Sequence, residues 1–205
     1  MSQTLIFSGG GAWTLDDARW DGTVFSAGAQ NVGHNEIVFS ASGTSMYMTG
    51  SQGSEVNQYN LTTPFDISTA TFSQVINVAA TSQNFGPQGI AFRTNGTRMF
   101  ITSSTSGRQF VGQYAVASAW NVSTASFTTN TTVASNTPSP RSVAFNSTGT
   151  LMFVLDDVSP SIEKYSLTSA WSVSAASFVE SYVITQQANS PGSVSFKDDG
   201  LRMFV

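Results

Sequence analysis

The chain has no cysteine and only one histidine, His34, among its 205 residues. Without thiols there are no disulfides, no thiolate zinc site and no cysteine nucleophile. One imidazole rules out a multi-histidine metal centre and leaves at most one catalytic triad to consider. Charge is sparse as well: 10% of residues are charged, eight basic against twelve acidic, for a net charge of −4. Nothing in that balance attracts phosphate, which argues against nucleic acid or a membrane surface as partner. No stretch approaches the roughly 20 apolar residues that cross a bilayer. The N-terminal Met1-Ser2-Gln3 lacks the basic segment and apolar run of a signal peptide, so secretion by that route is not expected. Asn60, Asn121 and Asn130 open glycosylation-type triplets, which a Ser- and Thr-rich chain generates by chance.

What the chain does contain is a repeat. Val38-Phe39 followed by Gly43-Thr44 and Met46-Tyr47 recurs as Ala91-Phe92, Gly96-Thr97 and Met99-Phe100, then around Phe145, Gly149 and Met152, then around Phe196, Gly200 and Met203. The glycines step by 53, 53 and 51 residues. A second module follows the first three copies, with Tyr59, Phe65, Ala70 and Phe72 matched by Tyr114, Trp120, Ala125 and Phe127 and by Tyr165, Trp171, Ala176 and Phe178. The N-terminus carries the same spacing as Phe7, Trp13, Ala18 and Trp20 with no first module before it. Each module reads as two strands, because short Val-, Ile-, Phe- and Tyr-rich runs are separated by Gly, Asn, Asp and Ser turns, and helical periodicity is absent. Ile90 to Phe92, a hairpin at Thr94-Asn95-Gly96-Thr97, and Arg98 to Thr102 are one such pair.

Four strands in a unit of roughly 51 residues match a propeller blade better than a coil of a parallel β-helix. The expected fold is all-β, a β-propeller of four-stranded blades forming a single domain over residues 1–205. Its repeat units are about 34–86, 87–139 and 140–190, with a fourth blade split between 1–33 and 191–205. Trp120 and Phe127 are expected in the core between blades. Three assemblies satisfy the pattern: one chain closing as four blades, a homodimer closing an eight-bladed ring, and a piece of a larger ring.

The sequence Ala119-Trp120-Asn121-Val122-Ser123-Thr124-Ala125-Ser126-Phe127 after Gln113-Tyr114, with Gly-Thr-X-Met-Tyr/Phe upstream, resembles propeller repeats of phage and marine viral structural proteins. Ala170-Trp171 through Phe178 fits the same pattern. Pro64-Phe65 through Ala70 fits with Phe for Trp, and the N-terminal copy departs furthest, with Asp16-Asp17 in place of Ser-Thr. The resemblance implies a non-catalytic structural or binding protein of a viral particle, located in the virion, with virion proteins or a glycan as partners. A propeller lectin is the alternative, and a lyase or hydrolase acting at the propeller mouth is a further one.

Candidate chemistry is thin. No Gly-X-Ser-X-Gly elbow, Gly-Lys-Ser/Thr phosphate loop or two-histidine zinc helix occurs. His34 aligns with Pro87, Pro140 and Pro191 where the chain enters an inner strand, and Asn35, Gln88, Arg141 and Gly192 follow. His34, Asn35, Gln88 and Arg141 are therefore the expected ligand-binding set at the channel mouth, against the plainer reading of solvated loop residues. Asp156 and Asp157 are the weak metal or acid/base candidates, read mainly as a solvated hairpin. No cofactor is expected.

Overall fold

In the computed structural model the described residues are 2–7, 18–30, 33–50, 53–78, 86–105, 108–185, 190–197 and 199–205. They form three four-stranded antiparallel sheets flanked by two hairpins. The first sheet runs β3 (His34–Phe39), β4 (Ser45–Gly50), β5 (Glu55–Leu61) and β6 (Ala70–Asn77). The second is β7 (Pro87–Phe92), β8 (Arg98–Thr105), β9 (Arg108–Val116) and β10 (Ala125–Thr132). The third is β11 (Pro140–Phe145), β12 (Leu151–Asp156), β13 (Ser161–Leu167) and β14 (Ala176–Val183). The hairpins are β1 (Ser2–Phe7) with β2 (Ala18–Phe25), and β15 (Ser195–Phe196) with β16 (Met203–Phe204). By repeat register, β15–β16 is the inner half of a fourth blade and β1–β2 its outer half. Each hairpin is a sheet of its own among the described residues. The innermost strands start earlier than hydrophobicity alone predicts: Pro87 already pairs with Ser103, and an irregularity before Ile90 separates that pair from the rest of the ladder.

Local chemistry explains why each blade repeats so closely. Gly43, Gly96, Gly149 and Gly200 all turn the first hairpin at positive φ, where a side chain is strained. In the three whole blades the glycine has a second reason to lack a Cβ. The ring of Phe65, Trp120 or Trp171 lies where that carbon would be, and the same residue's amide donates to the glycine carbonyl. To reach that position each aromatic itself adopts a positive φ, between 61° and 65°. Left-handed backbone at a bulky residue costs on the order of 1–3 kcal/mol, which burial of the ring offsets at Trp171, whereas Phe65 stays exposed. A 3-10 turn follows in each whole blade, at Ile67–Thr69, Val122–Thr124 and Val173–Ala175. Asp66 and Asn121 cap the first two by accepting from Ser68 N and Ser123 N. The sequence shows no helical periodicity in these segments, since three residues are too few to display one.

Blades join through aromatic triplets. Tyr47 of the first meets Phe92 and Trp120 of the second, at centroid distances of 4.6 and 6.3 Å, and Phe100 of the second meets Phe145 and Trp171 of the third at 4.3 and 6.3 Å. Trp120 and Phe127 flank a core cluster that includes Tyr47, Ile90 and Tyr114. Phe72 and Phe178, which occupy the same repeat position as Phe127, remain 46% and 43% exposed, so at the outer strand the ring covers an edge. Polar ties run beside the rings. Gln58 Oε1 accepts from Val122 N and Gln113 Oε1 from Val173 N, each glutamine capping the 3-10 turn of the next blade. Thr49 Oγ1 donates to Gln88 O and Thr102 Oγ1 to Arg141 O, joining each second strand to the next blade's innermost strand. The innermost strands consequently converge on one axis.

Candidate functional site

At the entrances to β3, β7 and β11 the repeat places Asn35, Gln88 and Arg141 in register. The side-chain amide of Asn35 donates to Pro87 O at 2.7 Å. Arg141 donates through Nη1 to Gln88 Oε1 at 2.6 Å and through Nε to Asp157 Oδ2 at 2.5 Å. The sequence-predicted mouth residues are thus gathered at one end of the axis, and two of them bond directly. His34 shares that end. With Gly33, Asn35, Glu36, Gly192 and Ser193 it lines a cleft of about 680 Å³ between the first blade and the segment leading into β15. Both ring nitrogens of His34 are buried and have no hydrogen-bond partner among the described residues.

Sequence reasoning missed Glu36. Its Oε2 accepts from Ile90 N at 2.6 Å, and its Oε1 accepts from Ser142 Oγ at 2.7 Å and Ser193 Oγ at 2.8 Å. Ile90 belongs to the second blade, Ser142 to the third and Ser193 to the start of the fourth, so one carboxylate ties four sectors together. Burial pushes this carboxyl above the ordinary 4.5, and the three hydrogen bonds partly offset that rise. The signal was present: Glu36, Gly89, Ser142 and Ser193 are repeat-equivalent, and a single carboxylate stands among one glycine and two serines. Gly89 has to be glycine, because a Cβ there would lie 2.6 Å from Arg141 O, 2.7 Å from Ser142 Cα and 2.9 Å from Glu36 Oε2.

The aspartate pair departs from expectation. Asp156 is completely buried, unlike a residue of a solvated hairpin. Its Oδ2 accepts from Ser139 N, and its Oδ1 accepts from Val158 N and Ser159 N. A short carboxylate satisfies three turn amides, which is why it is taken inside, and the same bonds leave neither oxygen uncommitted. Asp157 is Arg141's counter-charge, with its side chain 12% exposed, and its other oxygen is buried without a partner. Among the described residues no group of three or more His, Asp or Glu side chains is arranged to hold a metal ion.

Residues at the ends of inner strands around an axis, some held by partners and one imidazole without any among the described residues, are what a propeller mouth supplies for binding or chemistry. Comparison with known proteins agrees on the fold. No protein-family profile matches the chain, and no curated protein sequence is significantly similar to it. Solved structures do match. The periplasmic gluconolactonase PpgL of Pseudomonas aeruginosa has a TM-score of 0.56 at 17% identity, over 74% of this chain and 40% of that one. A proposed 6-phosphogluconolactonase of Bacteroides uniformis has a TM-score of 0.62 at 12% identity, over 93% and 54%. The β-propeller domain of Cps50 (Swd1) from Myceliophthora thermophila gives 0.50 at 13%, over 78% and 46%.

The fold is a β-propeller. The chain spans about two fifths to one half of these longer propellers. The neighbours also overturn the expectation of a non-catalytic particle protein: two of the three carry lactone-hydrolysing names, and none of the three is a viral protein. At such identities the likeness establishes the fold, and this chain's own chemistry has to be argued from its mouth residues.

Proposed function

We propose that the chain provides the mouth of a lactonase-type hydrolase, opening a small cyclic ester with His34 as general base. The observation that carries this reading is the orphaned imidazole beside a cleft of about 680 Å³. A buried donor and acceptor left unmatched forfeit about 1–3 kcal/mol each, so a site that keeps them so is arranged to hold a water or substrate atom there. In neutral form one ring nitrogen accepts a proton from water as the water oxygen bonds to the ester carbonyl. The tetrahedral adduct then collapses, the ring C–O bond breaks, and the imidazolium returns its proton to the departing alkoxide. One water is consumed and one hydroxy acid formed. Glu36 is not the base in this scheme, because both its oxygens already accept from the protein. The names of two structural neighbours support a lactone as the substrate class.

The test is acid release from glucono-δ-lactone and its 6-phosphate in a pH-stat, with the spontaneous rate subtracted. Catalysis by the parent is expected, with kcat lower by roughly 10²- to 10⁴-fold in His34→Gln, the usual contribution of a general base. A parent rate equal to the spontaneous one, or a variant as fast as the parent, would refute the assignment.

A further inference from the structure

The ring of mouth side chains has a gap. Asn35, Gln88 and Arg141 stand at equivalent positions of the first three sectors and are tied by their side chains, Asn35 to Pro87 O and Arg141 to Gln88 Oε1. The fourth member of that register is Gly192, which offers main chain alone. It is exposed, it lines the cleft that holds His34, and nothing lies within 4 Å of where its Cβ would be. The backbone does not require a glycine here, because Gly192 lacks the positive φ of the hairpin glycines. What the glycine does is leave one side of the cleft open, where the other sectors carry an amide or a guanidinium group.

The main chain bared there also differs from its counterparts. One residue further on in the register, Glu36 N donates to Thr49 Oγ1 at 3.2 Å and Gly89 N to Thr102 Oγ1 at 2.7 Å. Ser193 N, their equivalent, and Gly192 N have no acceptor among the described residues. Their position is nonetheless fixed. Pro191 before them is buried, Ser193 Oγ donates to Glu36 Oε1 at 2.8 Å, and Val194 N donates to Ser142 Oγ at 3.3 Å. We propose that Gly192 N and Ser193 N, on the wall of the cleft opposite His34, receive the carbonyl oxygen of the substrate, and that Gly192 admits it by leaving the fourth mouth position empty. This rests on the lactone reading and names the groups that meet the developing charge. When water adds to the ester carbon, the carbonyl electron pair moves onto oxygen, and two amide hydrogens already held in place stabilise that oxyanion without reorganising. His34 takes the proton from water, so the two tasks fall on opposite walls. The carboxylate of Glu36 beside them is already met by three donors.

Glucono-δ-lactam, which keeps the ring carbonyl and is not opened by water under assay conditions, is the probe. Titrated into nitrogen-15-labelled protein, it is expected to move the amide protons of Gly192 and Ser193 downfield in a saturable way. Gly192→Gln, which copies Gln88 into the gap, is expected to weaken that binding by roughly tenfold, the scale of a lost hydrogen bond. With glucono-δ-lactone, kcat/KM is expected to fall by roughly 10²-fold in Gly192→Gln, the scale of one lost oxyanion donor, and by less in Gly192→Ala. Open space and an ordinary φ let both variants fold; should Gly192→Gln not fold, the amide shifts of the parent decide. Gly192 and Ser193 amides that stay still at every lactam concentration, or a folded Gly192→Gln that binds the lactam as the parent does, would overturn the proposal. The two readings fail separately. Amide shifts without any hydrolysis would uphold the carbonyl seat and refute the reaction, whereas hydrolysis undiminished in Gly192→Gln would refute the seat and leave His34 as base.

Discussion

Glu36 shows how one residue breaks the symmetry of a repeat to tie its sectors together. Three of the four equivalent positions are small or hydroxylated, so the axis has room for one long side chain and donors to meet it. The arrangement has a pH signature. Because burial raises the carboxyl above 4.5, the native state holds more proton than the unfolded chain between 4.5 and the folded value. This group's contribution to stability therefore falls as pH rises through that window and is level above it. Glu36→Gln removes the titration, so the stability of the variant minus that of the parent is expected to rise with pH across the window. Urea midpoints measured at closely spaced pH values from 4 upward check the slope, and a flat difference would remove the buried carboxyl from the account. Asp156 teaches a related lesson about reading sequence. Two adjacent aspartates before Val-Ser-Pro resemble a solvated turn, yet Asp157 is largely buried against an arginine and Asp156 is held by three amides inside.

At the scale of the elements, strand order and repeat register were legible from the spacing of Phe, Gly, Met and Trp, because those residues do the same work in every blade. The aromatic's dual role was not legible: a ring at positive φ standing on its own hairpin glycine is a tertiary arrangement that no local propensity favours. The copies also differ in depth. Trp171 is 6% exposed while Trp120 is only half-buried against its cluster. Trp171→Ala is expected to destabilise by roughly 3–5 kcal/mol, the usual loss for an emptied core aromatic site, and Trp120→Ala by less. Equal denaturant midpoints for the two variants would show that the blade interfaces are equivalent after all. The glutamine ties follow the same graded pattern, since the third blade has Lys164 at the position of Gln58 and Gln113, and there it pairs with Glu180 at 2.8 Å.

For the whole molecule, the mouth was partly readable. Alignment of strand entrances placed His34, Asn35, Gln88 and Arg141 at one end of the axis without any structure, since equivalent residues of a radial repeat must share a level. Glu36 and the Arg141–Asp157 pair escaped because they depend on side chains reaching across blades, which a repeat alignment does not encode. The expectation of a particle protein failed for a different reason: blade-defining residues specify how blades stack and carry no information on what the mouth does. The central claim is that four sectors of one chain meet at a single carboxylate. A double-mutant cycle between Glu36→Gln and Ser193→Ala, residues 157 positions apart in sequence, tests it most directly. The account expects a coupling energy above about 0.5 kcal/mol, as for residues in one hydrogen-bonded network. Strictly additive losses would mean that the first and fourth sectors do not meet at the axis.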